Sequence, residues 1–158
     1  MLTVIGQIIA AVAVLANAVV YGTDVCCALV TRSVNRKLDD ATMTINAGWG
    51  HFYADKRMPA FGAGGVVAAV LTALLALVTG QVGAAVAAGI TVAALLTWVA
   101  FYVRIAKPIN SLQTAAAQSG VIPANARALQ DEWDSILKYR VPLQTVAITG
   151  LCVALILF

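Results

Sequence analysis

The chain has 158 residues, of which 61% are hydrophobic and only 11% charged. A soluble domain carries about 25% charged residues, and a chain this short cannot hide so much apolar surface in one water-soluble core. The formal charge of +3 comes from ten cations split between two segments, with no basic stripe interleaved with aromatics. That excludes nucleic acid as a partner and leaves the lipid bilayer as the solvent that accepts the chain.

The first apolar run covers residues 2–29, less purely toward its end. It lacks a positive n-region and is longer than the apolar core of a signal peptide, so it reads as a retained span. Near its end stands Asp24, the only acid within an apolar stretch. An acid at membrane depth is costly and defaults to a functional reading; structural pairing with Arg104 or Arg140 is the alternative. Asn17, Tyr21 and Asp24 follow at steps of four and three, which puts an amide, a phenol and a carboxylate on one helical face. Cys26 and Cys27 are adjacent, which is poor geometry for a mutual bridge, and with Cys152 they are expected to pack as small apolar residues.

The polar segment 31–59 follows. Asp39 or Asp40 can cap a helix through residues 41–56, with Ile45, Trp49, Phe52 and Tyr53 at helical spacing. His51, the only histidine, shares a face with Asp55. A carboxylate beside an imidazole can fix its tautomer and raise its pKa, as suits a general base. Two metal ligands or a solvated pair are the competing readings. Lys56, Arg57, Met58 and Pro59 read as a membrane-boundary anchor.

Residues 60–78 and 82–103 form the second and third spans, and only Thr79, Gly80 and Gln81 separate them, so they make an antiparallel hairpin. Gly65, Ala69 and Ala73, and likewise Ala85, Gly89 and Ala93, repeat every fourth position, a spacing that lets helices approach closely in lipid. In the second polar segment, 104–140, a helix over 108–118 is stopped by Gly120. Asn125 can cap another, with Leu129, Trp133, Ile136 and Leu137 on one face. These helices lie against the end of the bundle or extend its spans. Trp133, Tyr139 and Arg140 precede the fourth span, 141–158, as an aromatic belt or as the wall of a pocket. Pro142 falls in the first turn of that span, where its missing N–H is tolerated.

Each span approaches the roughly 20 residues that cross the hydrocarbon as a helix. The fold class is therefore all-α: a single integral membrane domain over 1–158, a four-helix transmembrane bundle with short cytoplasmic helices. All ten Lys and Arg fall in 31–59 and 104–140. The positive-inside rule places both segments in the cytoplasm and both termini outside, in a multi-pass protein of the plasma (inner) membrane. Signatures for P-loops, nucleophile elbows, zincins, di-iron carboxylates and haem are absent, and neither metal nor cofactor is assigned.

Three motifs carry a resemblance. They are Tyr21-Gly22-Thr23-Asp24; His51 followed by Asp55-Lys56-Arg57-Met58-Pro59; and Lys107-Pro108-Ile109-Asn110 followed by Gly120, Pro123, Ala128-Leu129-Gln130, Trp133 and Arg140. Together they resemble a family of four-span membrane proteins that includes the anthrone oxygenases of aromatic polyketide pathways. Asn110, Trp133 and Arg140 match the family pattern, whereas the His51 motif looks like a subgroup feature. The resemblance implies oxidation of a hydrophobic aromatic substrate by dioxygen without an obligatory metal. Asp24, His51 and Arg140 are then the catalytic candidates, and Tyr21, Asn110, Trp133 and Tyr139 the substrate-binding ones. Two other functions compete. One is a non-catalytic accessory subunit or self-associating scaffold, partnered by a second copy or another membrane protein. The other is a small transporter or lipid-binding protein whose polar path would use Gln7, Asn17, Thr72, Thr91, Thr97 and Thr149.

Overall fold

The computed structural model describes residues 1–158 and is helical throughout, without a strand. Its rods are α1 (Leu2–Asn35), α2 (Asp40–Arg57), α3 (Pro59–Val78), α4 (Val82–Ser119) and α5 (Ala126–Leu157). All but α2 are long and apolar enough to cross a membrane. They stand in a square: α1 and α4 each pack against both α3 and α5. The Phe158 ring abuts Gly6 and Leu157 abuts Gly83, so both termini and the 79–81 turn share one end of the bundle. The two polar segments gather at the other.

Small residues make the square tight. Ala13, Ala68, Ala69, Ala94, Leu95, Ala147 and Leu151 form the central buried cluster. Thr91 donates to the Ala147 carbonyl at 3.0 Å, and a Cβ on Gly150 would strike the Thr91 hydroxyl, so α4 and α5 cross backbone to backbone. Gly65 and Ala69 face inward, as their spacing predicts. The matching row on α4 does not: Gly89 and Ala93 are exposed, and the buried positions over Val82–Phe101 are Ala84, Ala87, Ala88, Thr91, Ala94, Leu95 and Trp98. In a helix so rich in alanine several stripes share that spacing, and the neighbours choose among them.

The spans do not stop where hydropathy falls. α1 runs on to Asn35 and α4 to Ser119, each through one π-helical turn, Cys27–Thr31 and Tyr102–Ala106. Pro108 offers no N–H to a carbonyl one turn back, and the wider turn before it absorbs the fault. α5 starts at Ala126 and breaks only at Ile136, so Pro142 lies inside the helix rather than in its first turn. Gly120, at φ 73°, ends α4 in the left-handed region.

α2 is the one separate helix of the polar end. Asp39 caps it, accepting from the Thr42 N–H at 2.9 Å and the Thr42 hydroxyl at 2.7 Å. It packs on the 107–119 part of α4 through Met43, Thr44 and Gly48, with the Thr114 hydroxyl donating to the Gly48 carbonyl at 3.2 Å. The regularly spaced apolar set faces outward instead: Ile45, Trp49 and Tyr53 are 39%, 40% and 49% exposed. Arg127 ties the tip together, bonding Asp40 and the Asn35 and Leu38 carbonyls.

Candidate functional site

At the polar end the square opens around a cavity of about 720 Å³, walled by α1, α2, α3, α4 and the start of α5. Asp24 and Arg140 lie deep in its wall, 2% and 6% exposed. Arg140 Nη2 stands 2.8 Å from Asp24 Oδ1, and Trp98 Nε1 donates to Asp24 Oδ2 at 2.8 Å. The guanidinium also sits 4.8 Å from the Trp98 ring centroid and 5.6 Å from that of Trp133. A buried ion pair persists only when its remaining valences are met, and here hydrogen bonding and two aromatic faces meet most of them.

A second set of contacts closes the circle. Trp133 Nε1 donates to Asn110 Oδ1 at 2.9 Å, and Asn110 Nδ2 donates to Asp55 Oδ1 at 3.1 Å. The Tyr102 hydroxyl donates to the same Asp55 oxygen at 2.9 Å, and its ring stacks on Trp98 with 6.0 Å between centroids. One can therefore walk from Asp24 through Trp98, Tyr102, Asp55, Asn110, Trp133 and Arg140 back to Asp24 without a gap. Beneath this ring, Gln113 donates to Gln130 at 3.0 Å and Gln130 to Asp134 at 2.9 Å, which holds α4 and α5 in register.

His51 Nε2 and Arg140 Nε, on two residues of the wall, meet no hydrogen-bond partner at good geometry and are themselves buried, with the Gln113 amide beside the His51 ring. Buried polar atoms are rarely left so, and each needs an explanation. His51 leans on Trp133 with 5.4 Å between ring centroids. Burial pushes its imidazole down to about 4, more than the Asp55 carboxylate restores. The expectation of a raised value is thus reversed, because desolvation outweighs the neighbouring charge. At neutral pH the ring is uncharged, the form that can accept a proton.

No family model, curated protein or solved structure matches the chain. What the site can do is therefore read from its side chains.

Of the residues singled out in the sequence, the cavity brings together Asp24, His51, Asn110, Trp133 and Arg140. Tyr21 and Tyr139 are not in its wall. Tyr139 is 49% exposed and stacks on Phe101 at 5.3 Å with the Lys138 ammonium over its ring, on the outer surface. Asn17 is buried farther along α1, donating to the Ala13 carbonyl and packed on Gly65. Thr72, Thr91 and Thr97 likewise donate to backbone carbonyls outside the cavity. Cys27 lines the cavity, whereas Cys26 is exposed. Nowhere do three His, Cys, Asp or Glu side chains converge as metal ligands would, and Asp24 belongs to Arg140 rather than to the His51–Asp55 pair. Asp55, expected beside His51, accepts instead from Tyr102 and Asn110, and Trp98 and Tyr102 join the site without a motif that marks them. The spacing of Trp98 and Tyr102, four apart, was the available signal.

Proposed function

We propose that the cavity binds a hydrophobic aromatic compound and that the protein oxidises it with dioxygen, in the manner of the anthrone oxygenases whose motifs the chain resembles. The observation that carries this reading is the His51 imidazole, neutral at physiological pH, in the same cavity lining as the buried Arg140 guanidinium. In this reading His51 takes a proton from a ring methylene made acidic by an adjoining carbonyl. Arg140 holds the oxyanion that develops, a preorganised donor aimed at growing charge. Trp98 and Trp133 border the place of a flat ring from the cavity lining while their faces carry the Arg140 guanidinium, and Asp24 and Asn110 hold Arg140 and Trp133 in place.

The carbanion then gives its electrons to dioxygen, the sole oxidant, and a carbon–oxygen bond forms. Protonation yields a hydroperoxide, which loses water to leave a carbonyl. In sum, a methylene and dioxygen become a carbonyl and water, and the proton taken by His51 leaves in the water. An electron-rich anion reduces dioxygen unaided, so the step obliges no metal. In the same reading the chain spans the plasma (inner) membrane with both termini outside, and the site lies at the cytoplasmic end.

The test is turnover in lipid nanodiscs at neutral pH with a hydroxylated anthrone, following quinone absorbance and oxygen uptake. We expect a rate above autoxidation that falls about 100-fold or more in His51→Gln. Quinone formation no faster than in empty nanodiscs would overturn the reading.

A further inference from the structure

Near their connecting turn α3 and α4 are in contact, with Ala73 and Ala76 packed on Ala84 and Ala85. Beyond Ala69 and Leu95 the cavity comes between them. Gly62, Val66 and Val67 form one edge of the gap, and Leu96, Val99 and Val103 the other. None of these six carries a polar side chain. Val67, Leu96 and Val103 line the cavity and are nevertheless 57%, 54% and 52% exposed, where a sealed wall would be covered by its neighbours. A Cβ added at Gly62 would meet nothing within 4 Å. The cavity therefore opens sideways, through an apolar cleft, between two helices long and apolar enough to lie in hydrocarbon.

Its two ends differ in chemistry. The inner end is lined by the polar side chains of Arg140, 6% exposed, and His51, beside the indoles of Trp98 and Trp133. The open end offers only methyl groups and a glycine. A ligand that satisfies both has a ring with polar substituents at one end and a hydrocarbon chain at the other. We propose that this site takes a lipid-resident amphiphile: an aromatic ring bearing hydroxyl or carbonyl groups, set against Trp98 and Trp133, with an alkyl or isoprenoid chain leaving through the α3–α4 cleft. The inference rests on the cavity being a ligand site, and it adds the chain and its route.

The cleft does not work by attraction. Hydrocarbon gains nothing on moving from lipid to a valine-lined groove, because both are apolar. A sealed pocket would exclude the chain; an open cleft lets it stay in contact with the bilayer while the ring docks. Tolerance of chain length is thus the signature, and it belongs to the cleft rather than to the ring site.

Native mass spectrometry in phosphatidylcholine nanodiscs, with methyl- and pentadecyl-resorcinol at matched mole fractions in the bilayer, reads this directly. The wild-type protein should bind the two within about threefold of each other. Val67→Trp and Val99→Trp should lower occupancy by the long-chain compound by about tenfold and leave the methyl compound bound. Retained methyl-resorcinol binding shows at the same time that the variants fold. Exclusion of the long chain by the wild type overturns the inference, as do cleft variants that weaken both compounds or neither, while the ring site stands. Failure of the wild type to bind either compound removes the ring site and the cleft proposal together.

Discussion

A charge buried among helices has no water to fall back on, and Asp24 and Arg140 each depend on the other. Arg140→Gln or Asp24→Asn alone leaves a desolvated ion, and each should cost about 3–5 kcal/mol. The double variant should cost clearly less than the two single costs combined, since the pair is mutually dependent. Unfolding of the purified protein in mixed micelles measures all three, and additive costs would show that the 2.8 Å contact carries no coupling. His51 yields a second test through pH. With its value at about 4, kcat/KM should hold from about pH 8 downward and fall only as the imidazole charges near 4. Asp55 is the anion that resists this depression, so Asp55→Asn should move the acid limb to still lower pH. The linked stability term has the same sign: a histidine buried neutral stabilises fully above its unfolded value near 6.5 and loses that contribution as pH falls through about 4. Asp24 was legible in the sequence because a lone acid in an apolar run has few bland explanations. Trp98 was not, because an indole in a span looks the same whether it faces lipid or a carboxylate, and only the fold shows its N–H on Asp24.

At the scale of the element, α2 shows that a helix can be legible in the sequence while the face it buries is not. Its limits follow from Asp39 and from Pro59 beyond its end, both plain in the sequence. Its inner face does not, because close packing on α4 is made by small residues that a search for apolar stripes passes over. Gly48 is the point of nearest approach: a Cβ there would be driven into the Gln113 carbonyl and come within 2.6 Å of Ala117 Cβ. Gly50, two residues on, has nothing within 4 Å. Gly48→Ala should therefore loosen α2 from α4, whereas Gly50→Ala should leave it docked and gain up to about 1 kcal/mol from helix propensity. Hydrogen exchange over residues 40–57 separates the outcomes, and equal protection in both variants would place the close approach elsewhere. The same displacement carries His51 and Asp55 away from Trp133 and Asn110, so Gly48→Ala should also weaken the site without touching any residue of it.

For the molecule as a whole, the sequence yielded the number of spans because lipid demands about 20 apolar residues per helix regardless of packing. It could not yield the cavity, which exists only where α3 and α4 part and α2 folds back beneath them. The two are nonetheless linked through charge. Every cation lies in the two polar segments, and the structure gathers those segments at the cavity end, away from both termini and the 79–81 turn. A bilayer that retained those cations on its cytoplasmic side would therefore orient the site as well as the chain, as the proposed topology requires. In a cysteine-free background, Gln81→Cys and Val121→Cys report on opposite ends, since residue 81 lies in the hairpin turn and Val121 is 71% exposed beyond α4. A membrane-impermeant maleimide should label position 81 in intact cells and position 121 only after the membrane is opened. The reverse pattern would put the cavity end outside.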